Sequence, residues 1–246
     1  TQPGPVLLVQ LTQAEDMVTT RGYEQTAGGA LGRRYRRAGV ACQELEQPNL
    51  DELRQALASL RPAVVHLVSN LVENGPQAAL VFGSRRDDVA QSRDFPERPP
   101  AMPAGELSWV LAGLEPAPLV ILDVPAPPVY SERLRQLFLR NAFAAEWASA
   151  TSAPPTAILG TGLGGQELQD KLAGQLIELL RAGRPVGEMA RTLQAQARLR
   201  LTRPAVDSRS SFARSLVAQP AVASLASAAL FTDRPEQVFP VVEAYK

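Results

Sequence analysis

A chain of 246 residues, 45% apolar and 20% charged, is long enough to bury a sizeable core and is not disordered as a whole. Lys plus Arg and Asp plus Glu balance at 25 each, so no net field draws it to nucleic acid or to an anionic membrane. One cysteine and one histidine exclude an intrachain disulfide framework and a Cys/His zinc set.

No run approaches the roughly 18–20 apolar residues of a membrane span, and the start lacks the charged and apolar regions of a signal peptide. A soluble, cytoplasmic protein with no membrane partner is expected. A first residue Thr1 in place of Met is expected of a piece of a longer protein. Arginine-dominated basic residues and abundant Ala, Leu and Pro fit a high-G+C bacterial source.

Apolar runs alternate with helical stretches, the pattern of an open, mainly parallel sheet with helices on both faces. Pro5 to Leu11 reads as the first strand. Thr12 to Ala38 is helical in character, with Gly22, Gly28, Gly29 and Gly32 expected to break it or mark a loop. Gly39 to Leu45 is a short outer strand. Asn49 caps a helix to Leu60, whose Leu50, Leu53, Leu57 and Leu60 share one face. That helix feeds a buried-looking strand, Pro62 to Asn70. Ala78 to Gly83 is expected as a short edge strand, and Ser84 to Pro103, charged and Pro-rich, as a surface loop. A helix from Ala104 to Leu114 leads to the most apolar strand, Ala117 to Pro125. Helices are expected at Tyr130 to Ala150, Gln166 to Ala182 and Pro185 to Arg203, a strand at Pro155 to Gly162, and a final strand near Val238 to Val242. Without repeats or a dividing linker, residues 1–246 read as one domain.

In such a sheet, loops from adjacent strands converge at the carboxyl ends, which directs attention to Asn70 and Pro125. Other signals compete. Gly160, Gly162 and Gly165 fit G-x-G-x-x-G between a strand and a helix, the pattern of a nucleotide or phosphate site. That motif also needs a second parallel strand and an acidic residue about twenty positions on. Glu188 is near that distance but lies in a helical stretch, so a tight loop without a dinucleotide is favoured. Arg33 to Arg37 (RRYRR) is able to touch phosphate or an acidic partner, although such a run is more often a solvated helix end. Asp123 reads as a hydrogen-bonded structural residue or an interaction hot spot. Ser69 and Ser131 have no adjacent base that would make either a nucleophile. No cofactor and no metal are expected.

Several phrases together resemble the CHAT domain, the bacterial branch of the caspase and separase clan of cysteine peptidases. Leu53 to Leu67 (LRQALASLRPAVVHL) is similar to that family's helix and third strand, which usually run on into a His-Gly pair. Met102 to Leu114 resembles its next short helix, and Leu119 to Pro125 (LVILDVP) the strand that normally ends in the nucleophilic cysteine. Thr156 to Gly162, Leu176 to Ala190 and Ala228 to Pro235 are similar to its later segments. Carried over residue by residue, His66 matches the first histidine of the pattern, while Asn70 stands at the catalytic histidine and Pro125 at the cysteine. Proline supplies no nucleophile and asparagine no base.

The resemblance therefore implies a caspase-like α/β domain without peptidase chemistry, acting on a protein or peptide partner. Its groove is expected around His66, Ser69, Asn70, Asp123, Pro125 and Tyr130. In the loop from Ala126 to Tyr130, Pro127 and Pro128 lower the entropy lost on binding, and Tyr130 offers an aromatic anchor. Cys42, in an outer strand with one central strand expected between it and the cysteine position, reads as a buried thiol. His66 reads as a hydrogen-bonded structural histidine.

Overall fold

The apolar runs become strands, and prolines at their starts mark where the central ones begin. Pro5 precedes β1 (Val6–Gln10), Pro62 lies just ahead of β3 (Val64–Val68), and Pro118 precedes β7 (Leu119–Asp123). A proline cannot donate to a ladder, so these positions suit it only as a strand's lead-in. The computed structural model describes residues 3–11, 27–75, 77–82, 101–124, 130–151, 155–159, 166–201, 229–232 and 234–244.

The main sheet has six strands in the order β2-β1-β3-β7-β8-β9, with β2 at Cys42–Glu46, β8 at Ala157–Leu159 and β9 at Ala229–Phe231. Every pair from β2 to β8 is parallel, and β9 runs antiparallel to β8. This is the expected α/β architecture, and the β3–β7 pairing places Val64–Val68 beside Leu119–Asp123.

Alternation along each strand gives the sheet two apolar faces. Leu7, Val9, Val65, Leu67, Val120 and Leu122 pack under α2 (Leu50–Leu60), α3 (Ala104–Ala112) and α4 (Tyr130–Ser149). On the other face, Val6, Leu8, Val64, Val68, Leu119 and Ile121 pack under α1 (Ala27–Arg37), α5 (Gln166–Arg181) and α6 (Val186–Leu201). Asn49 caps α2 as its sequence indicates: its side chain accepts from the Glu52 N–H at 2.8 Å while the Glu52 carboxylate accepts from the Asn49 N–H at 2.9 Å.

Several expectations need correction. Gly28, Gly29 and Gly32 lie inside α1, and a Cβ on Gly32 would meet only the end of the flexible Glu44 side chain of β2. Gly22 lies outside the described residues. Residues Ala78 to Gly83 do not make an edge strand. β5 (Gln77–Val81) is the middle of a second, antiparallel sheet between β4 (Leu71–Asn74) and β6 (Ala101–Pro103). The end of the expected Ser84 to Pro103 loop is thus a strand, and residues 83–100 lie outside the described set. No regular strand forms at Val238 to Val242. Pro240 interrupts it, and the tail makes two isolated bridges, parallel at Gly4–Val241 and antiparallel at Val40–Glu243.

Candidate functional site

The carboxyl ends of β1, β3 and β7 meet in one register. Gln10 faces Val68, and Val68 faces Asp123. Pairing continues past the strands, since Leu11 N–H donates to the Val68 carbonyl at 3.0 Å and Ser69 N–H to the Asp123 carbonyl at 3.2 Å. From β1 the chain's next strands lie to one side at β2 and to the other at β3, so this end is the sheet's topological switch point.

The structure separates the predicted site residues it describes into a partly buried group and a fully buried one. Asn70 and Asp123 keep solvent exposure at the sheet end. Ser69 is fully buried, and its hydroxyl donates to the Asn70 carbonyl at 2.8 Å, bracing the turn from β3 into β4. His66 lies deeper, 1% exposed. Neither Ser69 nor His66 offers a surface to a partner, which corrects their expected place in the groove. Pro125, the loop at 126–129 and the Tyr130 side chain lie outside the described residues, as do the Ser131 side chain and Gly160 to Gly165.

His66 is a structural residue, as its position on an apolar strand indicates. Its Nδ1 and the Tyr35 hydroxyl share a hydrogen bond of 2.8 Å, with the rings edge to face. Burial pushes its pKa down to about 3, so the imidazole is neutral at physiological pH, and Nε2 has no hydrogen-bond partner among the described residues. Tyr35 is raised well above its usual value by burial first and by the charges of Cys42 and Asp123 after it. Asp123 therefore stands in electrostatic reach of Tyr35.

Cys42 sits at the opposite end of the sheet. It faces Val6 at the start of β1, and two strands, β1 and β3, rather than one, separate it from β7. At about 4.8 Å per strand the lateral separation is roughly 14 Å. Burial, with Glu44 beside it, pushes the thiol up to about 12. No thiolate is available there near neutral pH. Among the described residues no group of His, Cys, Asp or Glu is placed to hold a metal ion, and no helix is long and apolar enough to cross a membrane.

Two positioning residues escaped the sequence reading. Tyr35 is hidden within a basic run, although Leu31 and Tyr35 at i, i+4 spacing were a signal that this face turns inward. Gln136, buried on α4, makes two 3.0 Å hydrogen bonds to one residue: the Leu71 N–H donates to Oε1, and Nε2 donates to the Leu71 carbonyl. Its amide thus takes the place of a neighbouring strand at the first residue after Asn70. Nothing in the sequence marks that glutamine.

No family model matches the chain, and no curated protein matches it in sequence.

Proposed function

We propose that the chain is a CHAT-type, caspase-like domain that lacks peptidase chemistry and binds a protein or peptide at the carboxyl edge of its parallel sheet, in the cytoplasm. The observation that carries this reading is the pairing of β3 with β7. In the family pattern these two strands deliver the base and the thiol. In this chain they run on into Asn70 and Pro125. The single histidine is buried and neutral, and the single cysteine lies at the other end of the sheet. Asn70 and Asp123, half-exposed at a switch point, are then contacts for a partner.

A nucleotide at Gly160 to Gly165 has less support. The segment does lie between β8 and α5, but the strand following α5 and α6 among the described residues is β9, which runs antiparallel to β8. The pyrophosphate motif belongs to a parallel βαβ unit. Glu188 lies in the first turn of α6 and pairs with Arg184 at 3.7 Å.

A photo-crosslinking amino acid at Asn70, compared in cells with the same residue at exposed Gln55 on α2, tests the binding surface. Crosslinked proteins specific to position 70 are expected. Identical products at both positions, or none at position 70, would contradict a partner at this edge.

A further inference from the structure

A cleft of about 830 Å³ opens at the opposite edge of the main sheet, where the strands begin. Its walls are the C-terminal ends of α1 and α5 and the tail from Val242 to Ala244. Both helices end in the same way. Gly39 and Gly183 adopt φ of 74° and 61°, and the N–H of the residue after each glycine bonds back to the carbonyls of Tyr35 and Leu179. The tail is fixed by backbone bonds: Ala41 N–H donates to Val242 at 2.8 Å and Ala244 N–H to Gly39 at 2.8 Å.

The basic run at Arg33 to Arg37 acquires a second meaning here. Helix geometry sends Tyr35 inward to His66 and leaves Arg36 and Arg37 exposed at the cleft, where Arg181 joins them from α5. Basic residues at helix C-termini complement the macrodipole, which accounts for a cation on each helix but not for their convergence on one concavity. Arg36 is fixed by Glu44 at 2.5 Å. Arg181 meets Glu178 at 3.5 Å with both side chains more than half exposed, a pairing that contributes little and yields readily. Arg37 makes no ion pair among the described residues.

We propose that this cleft is a docking site for a short acidic segment of a partner protein. A nucleic-acid strand fits less well. Its backbone carries a phosphate at every nucleotide, so some of its charges would meet Glu243 in the cleft and Glu44 and Glu178 beside the arginines. A peptide carries carboxylates only at some positions, so it can set them against the arginines and leave uncharged residues opposite those glutamates. The surface lies at the far edge of the sheet from Asn70 and Asp123, so it stands whether or not the carboxyl edge binds a partner.

The probe is a fluorescein-labelled peptide of alternating glutamate and serine, followed by anisotropy at low ionic strength. Its glutamine counterpart and an oligothymidylate of equal charge serve as the other arms. The glutamate peptide is expected to bind, the glutamine peptide not, and Arg37→Glu/Arg181→Glu to weaken binding by about tenfold or more. Arg54→Glu/Arg191→Glu, on other exposed surfaces, is expected to change it less than about twofold. Arg37→Gln/Arg181→Gln provides the same comparison if charge reversal perturbs folding. Equal affinity in the Arg37/Arg181 variants, no binding at about 1 mM peptide, or tighter binding of the oligonucleotide would overturn the proposal.

Discussion

Replacing Gln136 by alanine is expected to lower the melting temperature by roughly 5–15 °C, a large effect for a single polar side chain. The buried Leu71 N–H and carbonyl both bond to this one side chain. Removing it orphans a donor and an acceptor where water does not reach, at about 1–3 kcal/mol each. Gln136→Leu separates that cost from an empty volume, because leucine fills much of the space and bonds to neither group. Thermal unfolding followed by circular dichroism should show the leucine variant nearly as destabilised as the alanine one. A leucine variant as stable as the wild type would mean that the amide pairing contributes little.

Acid is expected to destabilise the protein through His66. In the unfolded chain the imidazole takes a proton near pH 6.5. In the folded chain, burial holds its pKa down to about 3. Between those values the unfolded state binds the extra proton, so stability falls as pH drops from about 6.5 and its full loss is reached below about 3. The slope approaches about 1.4 kcal/mol per pH unit, which amounts to roughly 3 kcal/mol between pH 6.5 and 4. Tyr35→Phe/His66→Leu removes both partners of the buried bond, and should be within about 1 kcal/mol of wild type at pH 7. Either single substitution leaves its partner bare and should cost about 1–3 kcal/mol. Denaturant unfolding across this pH range should show a shallower dependence in the double variant than in the wild type. Equal slopes would remove His66 as the source.

The fold was legible wherever local signals agreed. β3 and β7 are runs of Val, Leu and Ile apart from His66 and the final Asp123, with prolines just ahead of them, and Asn49 with Glu52 three residues on marks the start of α2. β4 and β6 were not legible. Leu71-Val-Glu-Asn is half polar and four residues long, and Ala101-Met-Pro contains a proline, so each becomes a strand only by pairing with β5. The final strand was misread for the opposite reason, because its apolar residues outweighed Pro240. At the candidate site, the sequence indicated that β3 and β7 are parallel members of one sheet, although the strands stop at Val68 and Asp123 rather than at Asn70 and Pro125. It carried no sign of the Tyr35–His66 bond across 31 positions or the Gln136–Leu71 pair across 65. Contacts of that kind depend on how helices dock on the sheet, which local periodicity leaves open.

Whether Asn70 and Pro125 occupy the two positions of a lost dyad is tested most directly by restoring it. In a Cys42→Ala background, Pro125→Cys introduces the only thiol, and Asn70→His adds a base beside it. The measurement is the rate of iodoacetamide alkylation against pH. Asn70→His/Pro125→Cys is predicted to react at least about tenfold faster near pH 6.5 than Pro125→Cys alone, with its apparent thiol pKa lowered by the imidazolium. Identical rates and pKa values in the two proteins would show that the ends of β3 and β7 do not bring these positions together as a peptidase pair, and would contradict the account.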